Sequence, residues 1–208
     1  VVFSTPMPGN NYAVVCEILG GNFNTSINVP PSLCLADRFT LKLGGNPVGL
    51  GGATVLWMLI PIDGANGWIA GLESGVSTHT VSYVTAEDDT EYAIVLQPGE
   101  EATFTSILSK ADNQFSFAAG PLPTGGTAFW IRRKYDGRDA GKLVITGTTG
   151  TVVFRSPMVN TDYAVKLELV SPSQTDHKIL TRRQDGFDFQ LDASLGAITV
   201  EWIAQLYS

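Results

Sequence analysis

The sequence predicts an all-β protein built from three tandem, small, antiparallel β-sandwich-like modules, and three observations carry that expectation. Only 16% of the 208 residues are charged, while Gly, Thr and aromatic residues are plentiful, a composition suited to short strands joined by tight turns. An internal repeat organises the chain. Apolar residues alternate in segments such as Phe187-Asp188-Phe189-Gln190-Leu191 and Ile198-Thr199-Val200-Glu201-Trp202, the period of a half-buried strand. A hydrophobic content of 44% supports a buried core and excludes a disordered chain.

The first module, residues 1–63, opens with Val1-Val2-Phe3, continues through Tyr12-Ala13-Val14-Val15-Cys16-Glu17, and ends on Phe39-Thr40-Leu41 and Trp57. The third module, residues 151–208, repeats it without a gap at an offset of 151, with Val152-Val153-Phe154 and then Tyr163-Ala164-Val165-Lys166-Leu167-Glu168. A weaker copy, residues 80–136, has Val81-Ser82-Tyr83 followed by Tyr92-Ala93-Ile94-Val95-Leu96. In all three the aromatic residue precedes its Tyr by nine positions. A second pair of landmarks follows: Phe39 with Trp57, Phe115 with Trp130, and Phe187 with Trp202. These aromatics are read as core residues that fix strand packing. Segments 64–79 and 137–150 are read as linkers, and Gly44–Gly52 as a turn or loop by its Gly and Pro content.

A module of about 60 residues buries only about 60% of its unfolded surface. The copies must therefore lean on one another or on other chains, as a homo-oligomer or as a pseudo-trimer within one chain. Closing them around a pseudo-threefold axis would hide strand edges that a linear string leaves open.

The charge pattern and hydropathy exclude several partners. Thirteen basic residues against twenty acidic ones give a net charge of −7, without the basic stripe that duplex binding requires, so no nucleic acid is expected. The longest apolar run, Ala53 to Ile62, contains Pro61 and falls far short of the roughly 20 residues of a membrane span. The opening VVFSTP carries no basic or apolar signal segment, and localisation is not read from it.

Chemistry-bearing residues are few. His79 and His177 sit in polar contexts and are read as solvated loop residues; Asp176 beside His177 does not form a dyad, because neighbours in an extended chain face opposite sides. No catalytic role, metal or cofactor is expected. The acidic run Glu87-Asp88-Asp89-Thr90-Glu91 lacks the spacing of a calcium loop and is read as solvated. Cys16 and Cys34 either pair or remain reduced; the alignment of Cys16 with Leu96 and Leu167 favours a reduced core cysteine. Basic residues gather in Arg132-Arg133-Lys134-Tyr135 and in Arg182-Arg183. Guanidinium forks suit anionic sugars, so Arg132, Arg133 and Tyr135 are the candidate binding residues; the competing reading makes them edge-strand charges that discourage aggregation. Both arginines are taken as surface residues. Trp68, in the first linker, either stacks on a sugar ring or pins the linker to a sheet.

The third module, through Phe154, Pro157, Asn160-Thr161-Asp162-Tyr163, Gly186-Phe187 and Trp202-Ile203-Ala204, resembles the C-terminal, receptor-binding tip domain of phage tail-fibre proteins, which is similar to H-type lectin-like β-sandwiches. The first two modules depart from that pattern, with Arg38 in place of the Gly before Phe39, and Ala86 in place of Pro with no Asn before Tyr92. The resemblance implies a non-enzymatic virion structural protein of a bacteriophage, normally trimeric. Its exposed loops would contact a host cell-surface glycan or protein, and it would join other virion proteins. The alternatives are a capsid decoration or head-fibre protein and a secreted glycan-binding lectin.

Overall fold

In the computed structural model, residues 1–20, 25–45, 54–62, 68–74, 78–82, 91–99, 104–120, 127–170 and 176–207 are described. Among them are eighteen strands and no α-helix. The first module holds β1 (Tyr12–Leu19), β2 (Thr25–Asn28), β3 (Cys34–Leu35), β4 (Arg38–Phe39), β5 (Lys42–Gly45) and β6 (Thr54–Pro61). The second holds β7 (Trp68–Ser74), β8 (Thr78–Ser82), β9 (Tyr92–Pro98), β10 (Phe104–Ala111), β11 (Gln114–Gly120) and β12 (Thr127–Lys134). The third holds β13 (Ala140–Ile145), β14 (Thr149–Val153), β15 (Tyr163–Val170), β16 (His177–Arg183), β17 (Gly186–Leu191) and β18 (Ile198–Leu206).

Each module stacks an outer hairpin on an inner sheet. The inner sheets run β7-β12-β9 and β13-β18-β15, and β1 pairs with β6 in the first module. The outer layers are the hairpins β3-β4, β10-β11 and β16-β17, joined by β8 in the second module and β14 in the third. In the first module an isolated bridge, Val2 to Arg38, takes the place of that extra strand. It matches the pairs Ser82 with Gln114 and Val153 with Gly186 in the other copies. Tyr83 lies outside the described residues, but its neighbour Ser82 falls in the shared frame.

The repeated tyrosines occupy equivalent positions. The hydroxyl of Tyr12 donates to the carbonyls of Leu35 and Arg38, that of Tyr92 to Ala111 and Gln114, and that of Tyr163 to Arg183 and Gly186. Each acceptor pair flanks a two-residue hairpin turn, so the buried phenol finds the polar partner it requires and fixes the hairpin over the inner sheet. The Phe and Trp landmarks meet edge-to-face in every copy: Phe39 on Trp57 at 5.7 Å, Phe115 on Trp130 at 5.4 Å, and Phe187 on Trp202 at 5.8 Å.

The strands that begin at Tyr12, Tyr92 and Tyr163 are buried on both faces, which explains their nearly continuous apolar runs. One face meets the module's own hairpin, and β1, β9 and β15 pack against one another on the other. A closed cycle of hydrogen bonds marks the axis between them. The Cys16 N–H donates to Gln97 Oε1 at 2.8 Å, the Leu96 N–H to Glu168 Oε2 at 3.1 Å, and the Leu167 N–H to Glu17 Oε2 at 3.3 Å. Glu17, Gln97 and Glu168 hold the same place in the three copies, five residues past the Tyr. The modules thus close with pseudo-threefold symmetry.

Several sequence expectations need correction. Segments 64–79 and 137–150 are not plain linkers: they carry β7 and β13, the third strands of two inner sheets. These strands lack an aromatic landmark because they pass beneath one. Gly71 pairs with Trp130 and Gly141 with Trp202, and a Cβ on either glycine would lie within 2.6 Å of the indole. Gly44 and Gly45 end strand β5 rather than belonging to a loop; residues 46–52, like residues 87–90 of the acidic run, lie outside the described residues.

Candidate functional site

The residues expected to bind a ligand do not form one exposed patch. They lie on β12 or beside it, and β12 is the central strand of its sheet, so the edge-charge reading fails as well. Arg132 is only 4% exposed, with its guanidinium 5.0 Å from the centre of the Tyr92 ring. It is therefore not a surface residue, and replacing it disturbs the core. Arg133 is half-buried, sits 4.7 Å over the Trp68 ring across the β7–β12 ladder, and faces Asp139 at 3.2 Å and Asp136 at 3.6 Å. Trp68 thus pins its segment to the sheet. Tyr135 turns into the boundary between the second and third modules.

The histidines are structural neighbours of the core rather than solvated loop residues. His79, on β8, is 5% exposed and stacks on Phe117 with ring centres 5.0 Å apart. His177, on β16, hydrogen-bonds Glu17 at 2.9 Å through Nε2. Both were misjudged because their neighbours in sequence are polar, while the surfaces that cover them come from elsewhere in the fold. Burial would raise the Glu17 carboxyl, but His177 and Lys166, the latter 3.5 Å away, hold it down at about 2. Glu168 is pushed up to about 8, chiefly by burial. Cys16 and Cys34 are free and buried, and burial raises the Cys34 thiol to about 11. Among the described residues no group of three or more His, Cys, Asp or Glu is placed to hold a metal ion.

The module boundaries repeat one construction with different chemistry. Three hairpin positions correspond by their cross-strand partners: Cys34 opposite Phe39, Lys110 opposite Phe115, and Arg182 opposite Phe187. Three positions beyond the Trp strands correspond by a shared backbone bond. The N–H groups of Ile62, Tyr135 and Tyr207 donate to the carbonyls of Asn11, Glu91 and Asp162, each just before the module's Tyr.

Between the second and third modules these positions form an ionic cluster. Lys110 Nζ lies 4.6 Å from the Tyr92 ring centre, donates to the Tyr92 carbonyl, and reaches Glu201 Oε1 at 2.5 Å. The Tyr135 hydroxyl donates to the same oxygen at 2.8 Å, and the Ile94 N–H donates to the other carboxylate oxygen, Oε2, at 2.9 Å. Lys142 sits 5.2 Å over the Tyr135 ring and pairs with Glu91 at 2.7 Å. Burial lowers the Lys110 ammonium, opposed by Glu201, and raises the Tyr135 phenol, reinforced by Glu201.

Between the third and first modules, Arg182 lies 5.6 Å from the Tyr163 ring centre and donates to the Tyr163 carbonyl. The Tyr207 ring lies 5.7 Å from the Trp57 ring.

Between the first and second modules the same frame leaves a partly open pocket of about 330 Å³ bordered by Asn10, Asn11, Tyr12, Pro31, Cys34, Ile62, Leu72 and Phe129. Each charged member of the ionic cluster has an uncharged counterpart here. Cys34 stands for Lys110 and Asn11 for Glu91. Leu72 stands for Lys142, each next to the glycine that lies beside a Trp, and Phe129 stands for Glu201, each just before the Trp. Short Cys34 and Ile62 replace two long side chains, which leaves the space. Of these, Asn10, Asn11 and Leu72 are exposed. The size lies in the range of small-ligand pockets, roughly 300–1,000 Å³. No family model, curated protein or solved structure matches the chain.

Proposed function

We propose that the protein is a non-enzymatic structural component of a phage virion, a tail-fibre or spike domain that attaches to the host surface. The observation that carries this reading is the closed hydrogen-bond cycle through Gln97, Glu168 and Glu17. It gives one chain the threefold closure that tail-fibre tip domains, which residues 151–208 resemble, reach by trimerisation. Closure buries the Tyr strands of all three modules, so the chain offers a rigid scaffold whose unlike loops and junctions are free to diverge. Rigid scaffolds that carry variable segments are the usual setting for recognition.

The partner on this reading is a bacterial surface glycan or protein. Purified chain on an array of bacterial capsular and lipopolysaccharide glycans is expected to retain at least one glycan class. Binding to no glycan, together with co-sedimentation with phage capsids, would replace this reading with capsid decoration. One feature favours that second reading: among the described residues β6 ends its sheet, whereas β12 and β18 are flanked on both sides. An open edge of this kind can take a strand from a neighbouring subunit.

A further inference from the structure

We infer that the free edge of β6 is a docking site for an antiparallel strand from a neighbouring polypeptide, and that this strand carries Ala-Gly followed by a basic residue. The inference goes beyond the attachment reading and does not depend on it: the edge is the same whether the chain attaches to a host or decorates a capsid. Three features of the structure carry it.

The first is the edge itself. In the second and third modules the Trp strand is flanked on both sides, by β7 and β9 and by β13 and β15. Among the described residues β6 pairs only with β1. The Cys16 N–H turns away from β6 toward Gln97. In an antiparallel ladder its partner Trp57 then also points its N–H and C=O away from β1, as do Val55 and Leu59. The side chains of these three residues are half-buried. Their counterparts, Ala128, Trp130 and Arg132 on β12 and Val200, Trp202 and Ala204 on β18, are all buried. A backbone edge beside partly covered apolar side chains is the setting in which an added strand supplies both hydrogen bonds and cover.

The second is the pair of residues that the other two edges accept. Gly71 lies opposite Trp130 and Gly141 opposite Trp202, and in each strand the residue before the glycine is a buried alanine, Ala70 opposite Ile131 and Ala140 opposite Ile203. A Cβ on either glycine would fall within 2.6 Å of the indole. The same frame beside β6 places glycine opposite Trp57 and alanine opposite Met58. Strand β6 contains no glycine, so a second copy does not satisfy this edge with its own β6, and β7 and β13 of that copy are already paired.

The third is the neighbouring module. Strand β7 packs on β1 and β6 of the module before it, and β13 packs on β9 and β12. Continued around the pseudo-threefold axis, a strand beside β6 packs on β15 and β18. Lys142, just after the glycine of β13, pairs with Glu91 at 2.7 Å. The counterpart of Glu91 for the docked strand is Asp162, an exposed carboxylate matched to it by the shared backbone bond, so a basic residue after the glycine suits this site. Tyr207, 39% exposed, reaches over to Trp57 with its hydroxyl near the Trp57 backbone. Its counterpart Tyr135 turns instead to the Glu201 carboxylate. Docking therefore displaces Tyr207 from the edge.

The test adds to the full 208-residue chain a peptide of residues 138–145, which contains β13, and follows amide exchange by NMR. In the chain alone the N–H groups of Val55, Trp57 and Leu59 are expected to exchange faster than those of Leu56, Met58 and Ile60, which face β1. Bound peptide is expected to slow the first set roughly tenfold or more. A Gly141→Val peptide is expected to bind at least about tenfold more weakly, because the valine meets the indole. A Lys142→Glu peptide is expected to bind about threefold more weakly at low salt, the scale of an exposed ion pair. Tyr207→Ala in the chain clears the edge and is expected to strengthen binding. If the free peptide binds too weakly to measure, residues 137–151 fused ahead of Val1, at the offset of 151 that aligns the two modules, decide by the same amides. Protection of Val55, Trp57 and Leu59 in the chain alone, no protection by either the free or the fused strand, or equal binding of the Gly141→Val or Lys142→Glu peptide overturns the inference. Protection that instead grows with the concentration of the chain alone gives the edge to a second copy and overturns it as well.

Discussion

The boundary between the second and third modules and the boundary between the first and second are built on the same backbone frame and filled in opposite ways. One closes on a buried ammonium, a carboxylate and a phenol, Lys110, Glu201 and Tyr135. The other places Cys34, Phe129 and Ile62 at the same points and leaves a partly open pocket. The repeat therefore specifies where a module meets its neighbour, through the Tyr clamp and the axial hydrogen bonds, and leaves the chemistry of the contact free to vary. An ionic filling gives little net stability after desolvation but is costly to leave half-made. An apolar filling tolerates a missing atom as a cavity.

That difference predicts a large effect. Lys110→Met leaves Glu201, 3% exposed, without its cation, and is expected to lower stability in urea by about 3 kcal/mol. Combining Lys110→Cys, Tyr135→Ile and Glu201→Phe, which copies the other boundary, is expected to recover most of that loss. A triple variant less stable than Lys110→Met would break the equivalence of the two boundaries.

The Trp strands sharpen the comparison between modules. Trp202 is 3% exposed, beside Gly141 and against Phe154 and Phe187, so Trp202→Ala is expected to cost about 3–5 kcal/mol. Trp57 is half-buried, and the strand that flanks β12 and β18 has no counterpart beside β6 among the described residues. Trp57→Ala is expected to cost about half as much, by the area it buries. Equal losses in denaturant melts would mean that the first module is packed as tightly as the third.

The axial residues contrast in their response to pH. Glu168, raised to about 8 by burial, holds a proton in the folded chain that an unfolded carboxyl, titrating at about 4.3, has released. Stability therefore falls as pH rises from about 4.3 to about 8, by at most about 1.4 kcal/mol per pH unit, and levels off above. Glu17, held down at about 2, does the reverse: its contribution is present above about 4.3 and is lost as pH falls toward 2. Glu168→Gln puts at this position the residue already present as Gln97, keeps an oxygen for the Leu96 N–H, and is expected to flatten the decline between pH 5 and 8. Urea midpoints that fall as steeply in the variant as in the parent would place the titration elsewhere.

The Tyr, Phe and Trp landmarks were legible in the sequence because core aromatics recur at nearly constant spacing, and their recurrence was enough to call for closure. The junctions were not. Lys110 and Arg182 are both cations but Cys34 is not, and the three follow their tyrosines by 22, 18 and 19 residues, so spacing alone did not align them. Strands β7 and β13 were hidden because a glycine beneath an indole leaves no apolar signature. Arg132 looked like a surface residue because its sequence neighbours are charged; what buries it is the Tyr92 ring on the adjacent strand.

The smallest expected effect tests whether the exposed rim of the ionic boundary matters beside its buried centre. Lys142 and Glu91 pair at 2.7 Å, but their side chains are 47% and 52% exposed. Water and salt screen such a pair, and ordering two long side chains offsets part of the attraction, so exposed pairs contribute about 0.2–1 kcal/mol. Lys142 also covers one face of Tyr135, which adds a cation–π contact at the weak, solvent-exposed end of its range, about 0.5–1 kcal/mol. Lys142→Leu keeps the aliphatic cover, copies Leu72 at the other boundary, and removes only the charge. It is expected to change stability by less than about 1 kcal/mol, with the difference from the parent vanishing in 1 M NaCl, where the Debye length is about 3 Å. A loss that persists at high salt would move Lys142 from the rim into the buried cluster with Lys110 and Glu201.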